Sequence, residues 1–174
     1  MVKWDVLKKQ ILKHLKHDPG AYVATFIDYY GLYGCQFPHR DEAEAQPNKY
    51  KRLEIIEKGM KDEVEDALRY RFLPYIQLHE FEALLFNEKD IFYKNLGNMV
   101  NPAELDTTFN EYRNPEMIND KREKSPSHRL ARIIRGYNKI VHGCILAEAI
   151  GLDQMREKNP HFHEWLNKIE RLKP

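Results

Sequence analysis

Two apolar stretches, separated by an amphipathic segment, constrain the fold of this chain most strongly. Residues 21–28 (AYVATFID) and 72–78 (FLPYIQL) are rich in β-branched and aromatic residues. Stretches that are apolar on both faces are typical of buried strands. The segment between them, at about 49–70, carries apolar residues every three to four positions and is predicted to be a helix. A strand, a helix and a second strand in this order predict two adjacent parallel strands.

The rest of the chain is predicted to be mainly helical. Residues 3–17 have a helical apolar stripe, and a second helix is expected from about Glu80. Ser125 and Pro126 have the residue types that start a helix, which is predicted to run on past Gly143 with a kink there. A last helix is expected from Asn159–Pro160. The predicted fold is therefore α/β, with a small parallel sheet flanked by helices and a helical C-terminal half.

We expect one domain over residues 1–174. Its predicted parts are an α/β core at 1–93, a long polar loop at 94–124 and a helical part at 125–174.

The composition is that of a soluble globular protein. The chain has 174 residues, 32% of them charged, and a net charge of +1. No apolar run is long enough to cross a bilayer, and the first residues are too charged for a signal peptide. Cys35 and Cys144 are the only cysteines and lack zinc-ligand spacing. No glycine-rich phosphate loop is present, so nucleotide hydrolysis is not indicated. A cytoplasmic location is expected.

Acidic residues follow both predicted strands. Asp28 ends the first strand, Glu80 follows the second, and Glu82 lies just beyond. The carboxyl ends of parallel strands meet at one edge of a sheet, so these acids are expected to converge. Carboxylates are suitable ligands for Mg²⁺, and Asp28 and Glu80 are the predicted pair. The alternative is that Asp28 is a turn residue and that the two glutamates lie at a helix start, where acids are favoured.

Four basic residues recur at intervals of three to four positions in the C-terminal half: Arg129, Arg132, Arg135 and Lys139. On one helix they would lie opposite the apolar face. Such a row is suited to a phosphate backbone, which makes nucleic acid a candidate partner. The alternative is an ordinary solvated helix face.

Several motifs, in order, resemble a bacterial family, domain of unknown function 4276. They are YVATFIDYYGL, RFLPYIQLHEFEALLF, NPEMIND, SPSHRL, GYNKIVHG and NPHFHEW. Members of that family resemble Toprim proteins, whose sites hold Mg²⁺ with a first-strand glutamate and aspartates at a later strand end. Asp28 matches the later aspartate. Where many Toprim proteins have Asp-x-Asp, this chain has Asp28-Tyr29-Tyr30. The resemblance also implies an ATPase partner and a role in phage defence.

The chain departs from the family pattern at its beginning. Family members usually start with a strand that ends in a Val-Glu-Gly type motif, whereas this chain starts at the helix before the Asp28 strand. No residue stands in for the first-strand glutamate. Three explanations of the missing strand are open. Another chain completes the sheet, the reading frame has been shortened, or the activity has been lost.

Two functions are consistent with this sequence, and whether the chain is an enzyme stays open. The first is a Mg²⁺-dependent phosphodiesterase acting on nucleic acid, with Asp28, Glu80 and Glu82 at its site. The second is a catalytically inactive Toprim-like module that binds a partner protein. A sheet without its first strand would leave part of the Trp4, Leu7, Ile11 and Leu15 stripe uncovered. We therefore expect a homodimer or a heteromeric contact there.

Overall fold

The computed structural model describes residues 3–32, 36–118 and 122–172, so Cys35 lies outside the described residues. It forms two compact units, residues 1–78 with 164–174 and residues 79–163. The helices are α1 Trp4–His17, α2 Arg40–Glu44, α3 Lys49–Asp62, α4 Asp66–Arg69, α5 Lys89–Leu96, α6 Pro102–Glu111, α7 Pro126–Ile133, α8 Lys139–Lys158 and α9 Pro160–Glu170. The strands are β1 Val23–Ala24, β2 Ile27–Asp28, β3 Phe72–Leu73 and β4 Ile76–Gln77.

The first unit contains the predicted parallel pairing. β1 pairs with β3 and β2 pairs with β4, both parallel, with Ile27 opposite Ile76 and Asp28 opposite Gln77. Between the two pairs, the Thr25 hydroxyl accepts a hydrogen bond from the Tyr75 backbone N–H at 3.0 Å. This side chain replaces a regular ladder bond, so each predicted strand is divided into two short pieces. The predicted α/β class is confirmed.

The apolar stripe of α1 is covered within the first unit. Trp4, Ile11 and Leu15 are buried, and Trp4 Nε1 donates to Glu63 Oε2 at 2.7 Å. The Trp4 ring also lies 5.8 Å from that of Phe37, centroid to centroid. Leu7, the fourth residue of the stripe, is only half-buried, so side chains of the same unit cover most of the stripe but not all of it. A homodimer or heteromer stays a prediction.

Arg71 fixes the connection between α1 and the strands. Its guanidinium is buried and donates to the carbonyl oxygens of Leu15, Asp18 and Ala21 at 2.7–2.8 Å. These carbonyls lie at and beyond the end of α1, where the helix no longer satisfies them. One side chain therefore anchors the whole turn that leads into β1.

The second unit contains a ten-residue helix where a loop with only short helical turns was predicted. Residues 94–124 include α6, which Asn101 caps through its side-chain oxygen to the Glu104 N–H at 3.4 Å, with Pro102 at the first position. The polar composition concealed this helix, since only Leu105 and Thr108 are buried. The helix predicted from about Glu80 is present as a short 3₁₀ helix, Phe81–Leu85.

Glycines with positive φ divide the C-terminal helices. Ser125 caps α7 as predicted, but Gly136 (φ 69°) separates α7 from α8. The break inside α8 lies at Gly151 (φ 72°), not at Gly143. Glycine is the residue that adopts this conformation at little cost. α9 begins at Pro160, as predicted. None of the helices in the described ranges has the length and apolar character needed to cross a membrane.

Candidate functional site

The carboxyl end of the β2–β4 pair holds the first predicted site residue. Asp28 is half-buried and lies directly opposite Gln77. Register partners on adjacent parallel strands point to the same side of the sheet. The carboxylate of Asp28 and the amide of Gln77 therefore share one face at the edge where open parallel sheets bind ligands.

The Gln77 amide is oriented by an aromatic neighbour. Gln77 is fully buried, and its Oε1 accepts a hydrogen bond from the Tyr75 hydroxyl at 2.5 Å. Tyr75 is held in turn by a stack on Trp165, with ring centroids 4.8 Å apart. Gln77 Nε2 has no hydrogen-bond partner among the described residues. Its two N–H groups are therefore unsatisfied, in a position that is buried from solvent.

A cationic cluster follows Asp28 in the chain. The Tyr29 hydroxyl donates to Glu44 Oε1 at 2.8 Å, and Arg40 lies over the Tyr29 ring at 4.4 Å. Arg40 and Arg52 both form ion pairs with Glu44. Burial, reinforced by the bond to Glu44, raises the pKa of Tyr29 to about 12. The phenol therefore stays a neutral donor near neutral pH.

Glu80, the second predicted ligand, is used in a helix cap. Its Oε2 accepts a hydrogen bond from the Ser127 backbone N–H at 2.8 Å, in the first turn of α7. Helix N-termini favour carboxylates through these free N–H groups and the helix dipole. Asp28 belongs to the first unit and Glu80 to the second, and an ion shared between them stays a prediction.

Glu82 is buried at the floor of a groove in the second unit. It is 1% exposed, and its Oε1 lies 2.8 Å from Nζ of Lys139, whose own side chain is 65% exposed. Burial raises the pKa of Tyr137 well above its ordinary value, and the charges of Glu82 and Glu80 raise it further. Tyr137 is therefore a near neighbour of both carboxylates.

Arg129 lies in the interior rather than on a solvated face. It is 3% exposed, and its guanidinium bonds to the Lys124 carbonyl, forms an ion pair with Glu111 at 2.9 Å and lies over the Tyr112 ring. The expectation that it lies opposite the apolar face was wrong, because α6 and the segment after it supply acceptors that draw it inward.

The other three basic residues do not form one row. Arg132 is exposed near the end of α7 and lies 3.5 Å from Glu104. Arg135 follows α7, and its backbone N–H donates to the Met99 carbonyl. Lys139 starts α8 and pairs with Glu82. The predicted single face fails because the helix ends at Ile133 and the chain turns at Gly136.

The residues near Asp28 provide only part of the ligand set that a Mg²⁺ ion needs. No group of three or more His, Cys, Asp or Glu side chains within the described part of the chain is placed to hold a metal. Mg²⁺ in proteins commonly keeps several waters and uses one or two carboxylates together with substrate phosphates. Asp28 can supply one such carboxylate, while Gln77 Oε1 is already bonded to Tyr75.

Two residues of this edge were missed by the sequence analysis. The position of Gln77 at the site is predictable in principle. It lies next to the end of the second predicted strand, and Asp28 lies at the end of the first. Arg40 lies in a segment without apolar periodicity, and no local pattern connects it to Tyr29. Only the tertiary fold brings its guanidinium over that ring.

The protein is of the α/β class, with short parallel strand pairs packed among helices. An acid at the carboxyl end of one pair forms a candidate acidic site. The chain belongs to the family "Domain of unknown function (DUF4276)", whose model matches residues 2–170. No curated protein and no solved structure matches it. The suspected family is thereby confirmed.

Proposed function

We propose that this protein is a Toprim-like, Mg²⁺-dependent phosphodiesterase that acts on nucleic acid. The observation that carries the proposal is the parallel register that places Asp28 beside Gln77 at the carboxyl end of the strands. A carboxylate and an amide donor on the same face suit a metal-bound phosphate, because the acid can bind the ion and the N–H groups can bind an oxygen of the phosphate.

Each residue of this edge has a part in the proposal. Asp28 would hold the ion, Gln77 would orient a phosphate oxygen, and Arg40 would supply positive charge next to the site. A Mg²⁺ ion bound there supplies charge neutralisation for the phosphate in an in-line displacement. Glu80 remains a candidate for the second ligand, and an ATPase partner and a role in phage defence remain part of the proposal on the strength of the family resemblance.

Metal-dependent melting tests this site. Wild-type protein should be stabilised by Mn²⁺ or Mg²⁺ by about 2.7 kcal/mol at a metal concentration 100 times the dissociation constant. Asp28→Asn should lose this stabilisation and any cleavage of DNA or RNA. Asp153→Asn, which removes an exposed carboxylate elsewhere, should keep both. An equal metal-induced shift in Asp28→Asn would show that the ion binds elsewhere.

The second candidate is a catalytically inactive module that binds a partner protein. It is favoured by the use of Glu80 and Arg129 in contacts within the second unit. It predicts that neither metal changes the melting temperature and that no nucleic acid is cleaved, while a protein encoded next to it co-purifies. The melting and cleavage experiments above therefore separate the two functions.

A further inference from the structure

The groove that contains Glu82 combines an apolar surface with a buried carboxylate that accepts no hydrogen bond from the described residues. It has a volume of about 250 Å³ and lies between the Phe81–Leu85 turn and the first turns of α8. Its apolar walls include Phe81, Ile140 and Ala147. Glu82 and Lys139 are the charged residues among those that line it.

The carboxylate of Glu82 is poorly satisfied by the chain itself. The ion pair with Lys139 lacks hydrogen-bond geometry, and neither oxygen of Glu82 accepts a hydrogen bond from any described residue. A buried carboxylate is costly unless it is both paired and hydrogen-bonded. The Tyr137 hydroxyl, buried nearby, also has no hydrogen-bond partner among the described residues. The site therefore favours a ligand that brings a positive charge and several N–H donors.

The surface around the groove is apolar over a wider area than the groove itself. Ile140 is 77% exposed, and Val141 and Ile145 on the same two turns of α8 are 52% and 37% exposed. Val141 and Ile145 lie outside the lining of the groove. A small ligand that filled the groove would leave them in water, whereas a polypeptide segment could cover them.

We propose that this surface binds a segment of a partner protein that inserts one arginine side chain towards Glu82 and covers α8 with flanking apolar residues. The guanidinium has five donors in a planar fork, so it can satisfy both oxygens of the carboxylate, which the single ammonium of Lys139 does not. The arginine displaces Lys139, whose side chain is 65% exposed, from the carboxylate. This interaction is independent of the phosphodiesterase proposed above, since it uses none of the residues near Asp28.

A pair of peptides tests the charge requirement. One carries a single arginine flanked by leucines, and the other has citrulline, its neutral isostere, in the same place. Binding to the full chain is measured by calorimetry and by amide NMR shifts. The arginine peptide should bind at least about tenfold more tightly, because charge-assisted hydrogen bonds are stronger than neutral ones. Its shifts should centre on residues 81–85 and 139–147. Equal affinities for the two peptides, or shifts elsewhere, would overturn the proposal.

Two variants and one small probe complete the experiment. Glu82→Gln should abolish the preference for arginine over citrulline, and Lys139→Met should strengthen binding of the arginine peptide by removing the competing ammonium. Both variants are checked for folding by circular dichroism, and unchanged affinities in the two folded variants would refute the role of Glu82. Hexylguanidinium should bind much more weakly than the peptide. If it binds as tightly, the occupant is a small molecule and the partner segment is excluded.

Discussion

Asp28 in the first unit and two glutamates in the second unit use their carboxylates differently. In the first unit, Asp28 ends a strand at a sheet edge, beside an amide with free N–H groups. In the second unit, Glu80 and Glu116 accept hydrogen bonds from the first turns of helices. Asp28 and Glu80 both follow apolar stretches in the sequence. What distinguishes them is the supply of unpaired backbone N–H groups, which α7 and α9 provide in the second unit.

The largest effect is expected at Glu116, which is 1% exposed and accepts from the backbone N–H groups of His161 and Phe162 at 3.2 and 3.0 Å. Glu116→Ala should lower the free energy of unfolding by about 3 kcal/mol, because it leaves two helix donors unsatisfied next to a cavity. Urea unfolding measures this loss. Glu148→Ala, an exposed position on α8, should change stability by less than about 0.5 kcal/mol. Similar losses in both variants would contradict the capping role.

A smaller effect is expected at Glu80. Glu80→Gln keeps an oxygen that can accept from the Ser127 N–H and removes only the charge. The loss should be about 1 kcal/mol, the scale of a charge at a helix N-terminus. Thermal melting at low salt measures it, with Glu148→Gln as the control. If Glu80→Gln also removes the stabilisation by Mn²⁺, Glu80 is a metal ligand as well as a cap, and the contrast with Asp28 disappears.

Tyr29 is expected to change the stability of the protein only in alkaline solution. Burial first, and then the bond to Glu44, raise the pKa of Tyr29 from 10.0 to about 12. The unfolded chain therefore releases this proton at a lower pH than the folded chain does. The stabilisation is fully present below pH 10 and is lost as the pH rises towards 12. Tyr29→Phe should flatten the fall in stability between pH 10 and 12, which unfolding at a series of pH values measures. An unchanged slope would mean that another tyrosine is responsible.

The fold was predictable where the signal is local or periodic. The two apolar stretches indicated the parallel strands, the stripe at residues 3–17 indicated α1, and Ser125–Pro126 indicated the start of α7. The breaks at Gly136 and Gly151 were not predictable, because a glycine also occurs inside regular helices and only the fold requires its positive φ.

The site was less predictable than the fold. The position of Asp28 at a strand end follows from the sequence. The partner of Glu80 lies 47 residues away, and that of Glu82 is on another helix, so no local pattern assigns them. Arg129 has the spacing of a surface residue, but its acceptors are on α6 and just after it. Whether a charged side chain stabilises the fold or is available to bind a ligand depends on long-range partners of this kind.

The Arg71 anchor has a consequence for synthesis of the chain. The carbonyl of Leu15 accepts a hydrogen bond from the side chain of Arg71, which lies 56 positions later in the sequence. At about 5–20 residues added per second, α1 emerges roughly 3–11 s before Arg71 is available to close the turn behind it. During that interval β1 and β2 lack their partner strands β3 and β4, so the sheet beside α1 cannot form. The apolar stripe at the N-terminus is therefore exposed for longer on the nascent chain, although the folded protein buries most of that surface.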